Sequence, residues 1–266
     1  MKQFKAWLQT YSLFLIFTLV ILLLFEWLVR SEQVPSFIIP APTMVVMAII
    51  DNWQPLLLEH TPATMLEFLI GFVIAVLGGV FLAAGMFFSK TVEKMLYPAV
   101  LISQMIPIIA LSPIFVLWFG YTIWSKVAVT VLISFFPIVV GAYDGLKSAD
   151  RDFIELFRSI GASRWKIFLK LHVPMALPSF FSGLKLAIVY ALVGATIGEW
   201  LGASEGLGYY SRRMSGNLDA EGVFASIVIL TILGIFLFSL ISFLEKRILK
   251  WKDSDEKINT EGNNSK

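Results

Sequence analysis

The sequence predicts an all-α membrane protein with six transmembrane helices, and three observations predict it. Of the 266 residues 58% are hydrophobic, and the mean hydropathy is +0.80; a soluble domain of this length is about half apolar. The apolar residues fall in long unbroken runs. Only helices and closed barrels satisfy their backbone in lipid, and barrel strands would read as short alternating segments. Finally, the segments between runs are alternately rich and poor in Lys and Arg, the asymmetry that orients membrane helices.

The runs can be justified in order. A hydrocarbon core of roughly 30 Å takes about 20 helical residues. No charge lies between Lys5 and Glu26, giving a first span at about 12–29. It lacks a small-residue cleavage site after it and is read as a retained anchor. Glu67 and Lys90 bracket a second span at 63–87. The apolar stretch from Lys94 to Lys126 is too long for one helix and is assigned a third span, 96–119, plus a turn at GYTIW. Further spans fall at 126–143, 180–201 and 223–244. Residues 12–252 thus form one transmembrane domain, residues 1–11 a short leading segment, and the polar residues 253–266 a disordered tail. Between the first two spans, Pro42–Leu58 is expected as an amphipathic helix.

With the N-terminus in the cytoplasm, sixteen Lys and Arg residues fall on inside segments, and four (Arg30, Lys126, Arg212 and Arg213) fall outside. Lys185 sits near the inner end of the fifth span. The expectation is a multi-pass protein of a bacterial inner membrane with both termini cytoplasmic.

Composition also excludes. With no cysteine there is no disulfide or thiolate site. The two histidines, His60 and His172, are far apart and match no metal-ligand spacing. No nucleophile–base pair or carboxylate pair at membrane depth suggests catalysis. A phosphate-cradling GxxxxGK[ST] loop is missing. The chain is therefore expected to hold no catalytic residue, no metal and no cofactor, and to bind no nucleic acid.

One charged segment interrupts the apolar pattern: FIELFRSIGASRWKIFLKLHVPMALP, Phe153–Pro178, inside the inner loop 144–179. It reads as two short helices. Asp150 or Asp152 can cap the first, along which Ile154, Phe157 and Ile160 recur at helical spacing. Gly161 can end it in the left-handed conformation. Ser163 can cap a second helix, Arg164–Leu171, with Trp165, Phe168 and Leu169 on one side, and Pro174 and Pro178 are expected to stop it. Such a segment either lies on lipid or docks into a groove on a partner.

The segment resembles the EAA loop of ABC-importer permeases: Glu, six positions on Gly, then a closing apolar-x-apolar-Pro. Here these are Glu155, Gly161, Leu171, Val173 and Pro174, with Leu156 and Phe157 in place of two alanines. VPSFIIPAP, PIIALSPIFVLWFGY, GASRW and GEWLGASEGLGYY resemble permeases of the nitrate/sulfonate/taurine type. LWFGY, YDGLK and GEWLGASEGLGYY are most similar to the branch importing pyrimidine precursors of thiamine. The resemblance implies a type I importer permease fold working as a homodimer, a cytoplasmic ABC ATPase dimer binding ATP and Mg, and an extracytoplasmic substrate-binding protein. It further implies that Glu155, Phe157, Gly161, Ala162, Ser163, Leu171, Val173 and Pro174 form the contact with the ATPase. Sulfonate, taurine or nitrate is the alternative substrate class. A secondary transporter or channel, which would show inverted repeats or mid-depth ionisable residues, is the alternative of a different class.

Polar and aromatic residues within spans are the candidates for a translocation pathway: Gln104, Ser112, Trp118, Tyr190, Thr196, Glu199 and Trp200. Glu67 and Glu199, near span ends, are expected to reach the headgroup region. The glycines of GASEGLGYY are expected to shape a turn at the outer mouth. Gly71, Gly78, Gly79 and Gly85 are expected to serve helix packing. Because no Lys or Arg except Lys185 lies deep in a span, a neutral or weakly basic heterocycle suits the pathway better than a strong anion.

Overall fold

In the computed structural model, residues 2–250 are described, with side chains from residue 12 onward; the leading segment 1–11 lies outside the described side chains, and the tail 253–266 outside the described residues. Among the described residues the regular structure is entirely helical. In chain order the helices are α1 (Lys2–Arg30), α2 (Pro42–Asp51), α3 (Thr61–Phe88), α4 (Lys90–Ser103), α5 (Ile108–Phe119), α6 (Ile123–Lys147), α7 (Arg151–Ser159), α8 (Arg164–Ile167), α9 (Val173–Gly202), α10 (Leu207–Gly216) and α11 (Ala220–Ile248). Five stretches among the described residues are long and apolar enough to cross a membrane, and α4 with α5 makes a sixth if the pair counts as one.

The pair does count as one. Lys147 Nζ, at the end of α6, lies 2.6 Å from Glu93 in the first turn of α4, so α4 starts where α6 finishes. Tyr121, just past α5, flanks Gly202 at the end of α9, which is where α6 begins. The chain has therefore crossed the bundle between them. The crossing is not the single straight helix expected over 96–119: its halves meet at 103° around Gln104–Pro107. Pro107 caps α5 in extended geometry with φ −62° and ψ 112°, and a proline there cannot continue the ladder of α4.

Two other expectations need correction. Pro174 and Pro178 do not stop the helix; the chain runs helically from Arg164 to Gly202. A π turn over Phe168–His172 precedes Pro174, and its closing N–H, on Val173, reaches the Phe168 carbonyl. The wider turn relieves the clash that a proline ring makes with the carbonyl four residues back. The same device, a π turn over Pro55–His60, precedes Pro62 at the head of α3. The expected helix Pro42–Leu58 is accordingly two pieces, α2 and this π turn.

Lipid is as apolar as leucine, so helices in it associate by close packing rather than by the hydrophobic effect. The α6/α9 pair shows how close. A Cβ on Gly183 would lie 2.3 Å from the Pro137 carbonyl oxygen, and one on Gly145 2.7 Å from that of Ala176. On Gly194 and Gly198 it would fall 2.8 Å from the Cα atoms of Thr130 and Lys126. On α3, Gly71 and Gly79 similarly admit Thr130 and Ile138 of α6, whereas Gly78 and Gly85 have ordinary clearance. The trio α3, α6 and α9 is the centre of the molecule. Apolar side chains of α1 such as Phe14, Leu23 and Trp27 remain exposed, and α1 is tied to α2 through Glu26, which accepts from the Thr43 hydroxyl at 2.7 Å and its N–H at 3.1 Å.

Candidate functional site

At one end of the bundle, α7 and α8 form a hairpin built from local capping. The Asp150 carboxylate accepts from the Asp152 N–H at 3.1 Å and opens α7. At its other end Gly161 takes φ +78°. The Gly161 N–H then donates to Arg158 O and the Ala162 N–H to Phe157 O, both at 3.0 Å, the paired bonds by which a left-handed residue terminates a helix. Ser163 Oγ accepts from the Lys166 N–H at 3.3 Å and starts α8. The turn is thus specified by Gly161, Ala162 and Ser163 together.

The two halves of the hairpin differ in burial. None of α7 is buried: Ile154 and Phe157 are half-covered, while Phe153, Leu156 and Ile160, at i, i+3 and i+7, are 51, 55 and 73% exposed. Glu155 stands in solvent beside this apolar face. By contrast Ile167, Phe168 and Leu171 are buried. The Phe168 ring lies 4.7 Å from that of Phe88 and 5.5 Å from that of Phe87, at the end of α3. Val173 packs beside Phe168, Leu146 and Ala176. His172 Nδ1 lies 2.8 Å from the Leu146 carbonyl of α6, to which the Nδ1–H tautomer donates. Pro174 is the second residue of α9. The hairpin is therefore an exposed amphipathic helix on a rigid mount that grips α3, α6 and α9 at once.

At the opposite end Glu67 and Glu199 do not reach toward headgroups; both are buried, at 3 and 0% exposure. Lys126, at the start of α6, reaches Glu67 Oε1 at 2.9 Å. Thr64 Oγ1 sits 2.6 Å from Glu199 Oε1 and accepts the Leu207 N–H at 2.8 Å. The other oxygen of Glu199 accepts the Gly208 N–H, and His60 Nδ1 accepts that of Gly206 at 3.2 Å. Glu199 therefore lies on the N-terminus of α10, where the helix dipole supplies partial positive charge. Gly206 has φ +112°, and a Cβ on it would meet the Glu199 carboxylate at 2.3 Å. The glycines do shape a turn, and they also make room for this carboxylate. His60, Thr64 and Lys126 were not singled out from the sequence. The available signal was one cation and two carboxylates near span ends on the same side of the membrane.

The remaining pathway candidates are dispersed. Thr196 and Trp200 line one cavity of about 760 Å³ between α5, α9 and α11, with Arg212 at its rim. Arg212 donates to the Trp200 carbonyl. Tyr190 faces a second cavity of about 570 Å³ nearer the hairpin, lined also by Asp144, Ser179 and Ser182. Trp118 and Gln104 are exposed on α5 and at the α4–α5 break. The hydroxyls of Ser112 and Thr196 donate to the carbonyls of Ile109 and Leu192 in their own helices. Lys185 pairs with Glu245 of α11 at 2.8 Å.

Comparison with known proteins gives a consistent picture. A family profile described as "Binding-protein-dependent transport system inner membrane component" matches residues 75–250. The formylaminopyrimidine transport permease protein ThiX of Halalkalibacterium halodurans is 48% identical over 237 residues, covering 89% of this chain and 94% of that protein. The riboflavin transport system permease protein RibX of Chloroflexus aurantiacus is 33% identical, covering 89% of each. Among solved structures an amino acid ABC transporter chain superposes with a TM-score of 0.63 at 17% identity, over 74% of this chain and 96% of that one.

Proposed function

We propose, from the premise that this chain belongs to the family of binding-protein-dependent transport system inner membrane components, that it takes a formylated aminopyrimidine or a similar thiamine precursor across the membrane as the permease of an ATP-driven importer. The importer-permease role follows from the family. The substrate reading rests on the 48% identity to a formylaminopyrimidine permease, and the absence, among the described residues, of unpaired cations deep in the spans favours it over a sulfonate. ATP and Mg belong to a separate ATPase, one copy for each of two permease chains, and an extracytoplasmic binding protein delivers the solute.

One observation carries the coupling mechanism: Phe153, Leu156 and Ile160 project from α7 while the rest of the hairpin is locked to three transmembrane helices. An apolar face in water beside a membrane is stabilised by burial in a partner groove, at roughly 25 cal/mol per Å². When the ATPase pair closes, a hairpin held this way passes its displacement to α3, α6 and α9 instead of flexing. Glu155 beside the apolar face sets register on the partner. In this reading the hairpin end, and with it both termini, faces the cytoplasm. Glu155, Phe157, Gly161, Ala162, Ser163, Leu171, Val173 and Pro174 are the coupling residues in this reading; the first is exposed to the partner, and the others shape or anchor the mount.

The test is reconstitution with the ATPase and binding protein in liposomes. Gly161→Pro and Glu155→Lys should each leave ATP hydrolysis measurable and abolish uptake of a labelled formylaminopyrimidine. Normal uptake by both variants would refute the coupling assignment. Uptake of taurine in preference to the pyrimidine would refute the substrate and keep the mechanism.

A further inference from the structure

We infer that Glu199 is a positioning residue for transport: it fastens α10 to α3 and α9, so that the outer mouth moves as one body. The inference rests on the importer reading for its consequence and on geometry alone for its existence. The parts of the mouth come from several elements. His60 closes the π turn before α3, Thr64 lies in the first turn of α3 and Glu67 in its second, Lys126 belongs to α6, Glu199 to α9, and Gly206 caps α10, which Leu207 and Gly208 open. Three successive backbone N–H groups at the start of α10, those of Gly206, Leu207 and Gly208, are received by His60, Thr64 and Glu199. All three acceptors are buried, at 6, 0 and 0% exposure.

A buried carboxylate without partners is costly in a membrane protein, and one that is fully bonded fixes geometry. Glu199 has both oxygens engaged, by Thr64 and by Gly208. Gly206 and Gly208 leave it no slack, since a Cβ on Gly208 would lie 2.8 Å from its oxygen and 2.6 Å from the Thr196 carbonyl. Glu67 adds the link to α6 through Lys126. Downstream, the fastened helix holds Arg212 over the last turn of α9, where its guanidinium meets the Trp200 carbonyl beside the cavity of about 760 Å³ that it lines. Glu199 thus sets where Arg212 stands without facing that cavity itself. Its part in transport is to hold the rim in register, and the solute passes elsewhere.

The chain has no cysteine, so labels can be placed freely. Spin labels at Glu59→Cys and Ser215→Cys, both exposed positions on either side of the junction, report the α10–α3 distance. In the otherwise unaltered permease, assembled with its ATPase, the distance should be single and unchanged between nucleotide-free and ATP-trapped states. Glu199→Ala should broaden it into several populations, and Thr64→Val should do so to a lesser degree. Saturated uptake should fall by about tenfold, the loss expected for a charge-assisted hydrogen bond. The half-saturating concentration of loaded binding protein should stay put, because Glu199 does not touch the solute; Glu199→Gln, which keeps the acceptor, should restore most of the rate. If Glu199→Ala cannot be purified, Thr64→Val and Glu199→Gln carry the test. A distance that shifts with nucleotide in the unaltered protein, or a narrow distance in Glu199→Ala or, failing that, Thr64→Val, would overturn the inference. So would a variant that changes half-saturation alone. The nucleotide-free distances do not depend on coupling, so a failure of the importer reading would leave them standing.

Discussion

The two ends of this molecule treat their side chains in opposite ways. At the Glu199 end two carboxylates, a lysine, a histidine and a threonine are withdrawn from water and matched to one another or to backbone N–H groups, save for Glu67 Oε2, which is buried without a hydrogen-bond partner. At the α7 end three large apolar side chains are left in the open on a helix with no buried residue. One end satisfies internally most of what is expensive to bury; the other leaves unsatisfied what is favourable to bury. The first pattern belongs to a junction whose geometry is set within the chain. The second suits the proposed role of a surface that docks on another molecule.

This contrast can be broken at either end. The largest effect is expected from Lys126→Ala. It strands the Glu67 carboxylate inside the protein, and breaking a buried pair by removing one partner costs about 3–5 kcal/mol. The detergent-solubilised variant should show a much lower melting temperature, and Glu67→Gln in the same background should recover part of it. Gly183→Ala comes next, because its Cβ would press on the Pro137 carbonyl; overpacking of this kind costs about 1–3 kcal/mol and should appear as a lower midpoint in thermal unfolding. At the hairpin, Leu156→Ala with Ile160→Ala should leave the melting temperature alone, as surface substitutions shift stability by about 0.5 kcal/mol or less. It should weaken capture of the ATPase about tenfold, the loss expected of an interface anchor. A stability loss without a binding loss would place this face against the chain itself and erase the contrast. The smallest effect is that of Asp150→Ala, which removes the cap of α7 at about 1 kcal/mol and should speed amide exchange in its first turn only.

Much of the hairpin was legible because its determinants are local. Asp150, Gly161 and Ser163 act on backbone groups within three residues, and each does in the structure what its type and position suggest. The apolar runs were legible for a similar reason, since hydropathy reports whether a stretch can lie in lipid. It says nothing about direction within the run, and so the 103° break between α4 and α5 was hidden even though Pro107 marked the place. The Glu199 junction was illegible for a different reason. Its partners are separated by 135 residues between Thr64 and Glu199, and only the packing of α3, α6 and α9 brings them together. Nor could the glycines of α6 and α9 be paired from sequence, because close approach is a property of two helices at once.

The π turn over Phe168–His172 has a consequence for what insertions and deletions this chain can tolerate. A residue advances an α-helix by about 100°, and a π turn holds one residue beyond the α-helical repeat. Deleting a single residue there would turn it into an ordinary helix and leave α9 facing nearly the same way, so Gly183, Gly194 and Gly198 would still meet α6. A deletion further along α9 has no such slack: it turns every later residue by about 100° and brings side chains against a backbone that admits none. The widened turn is in effect a buffer, absorbing one residue so that the aromatic base against α3 and the smooth side against α6 keep their places.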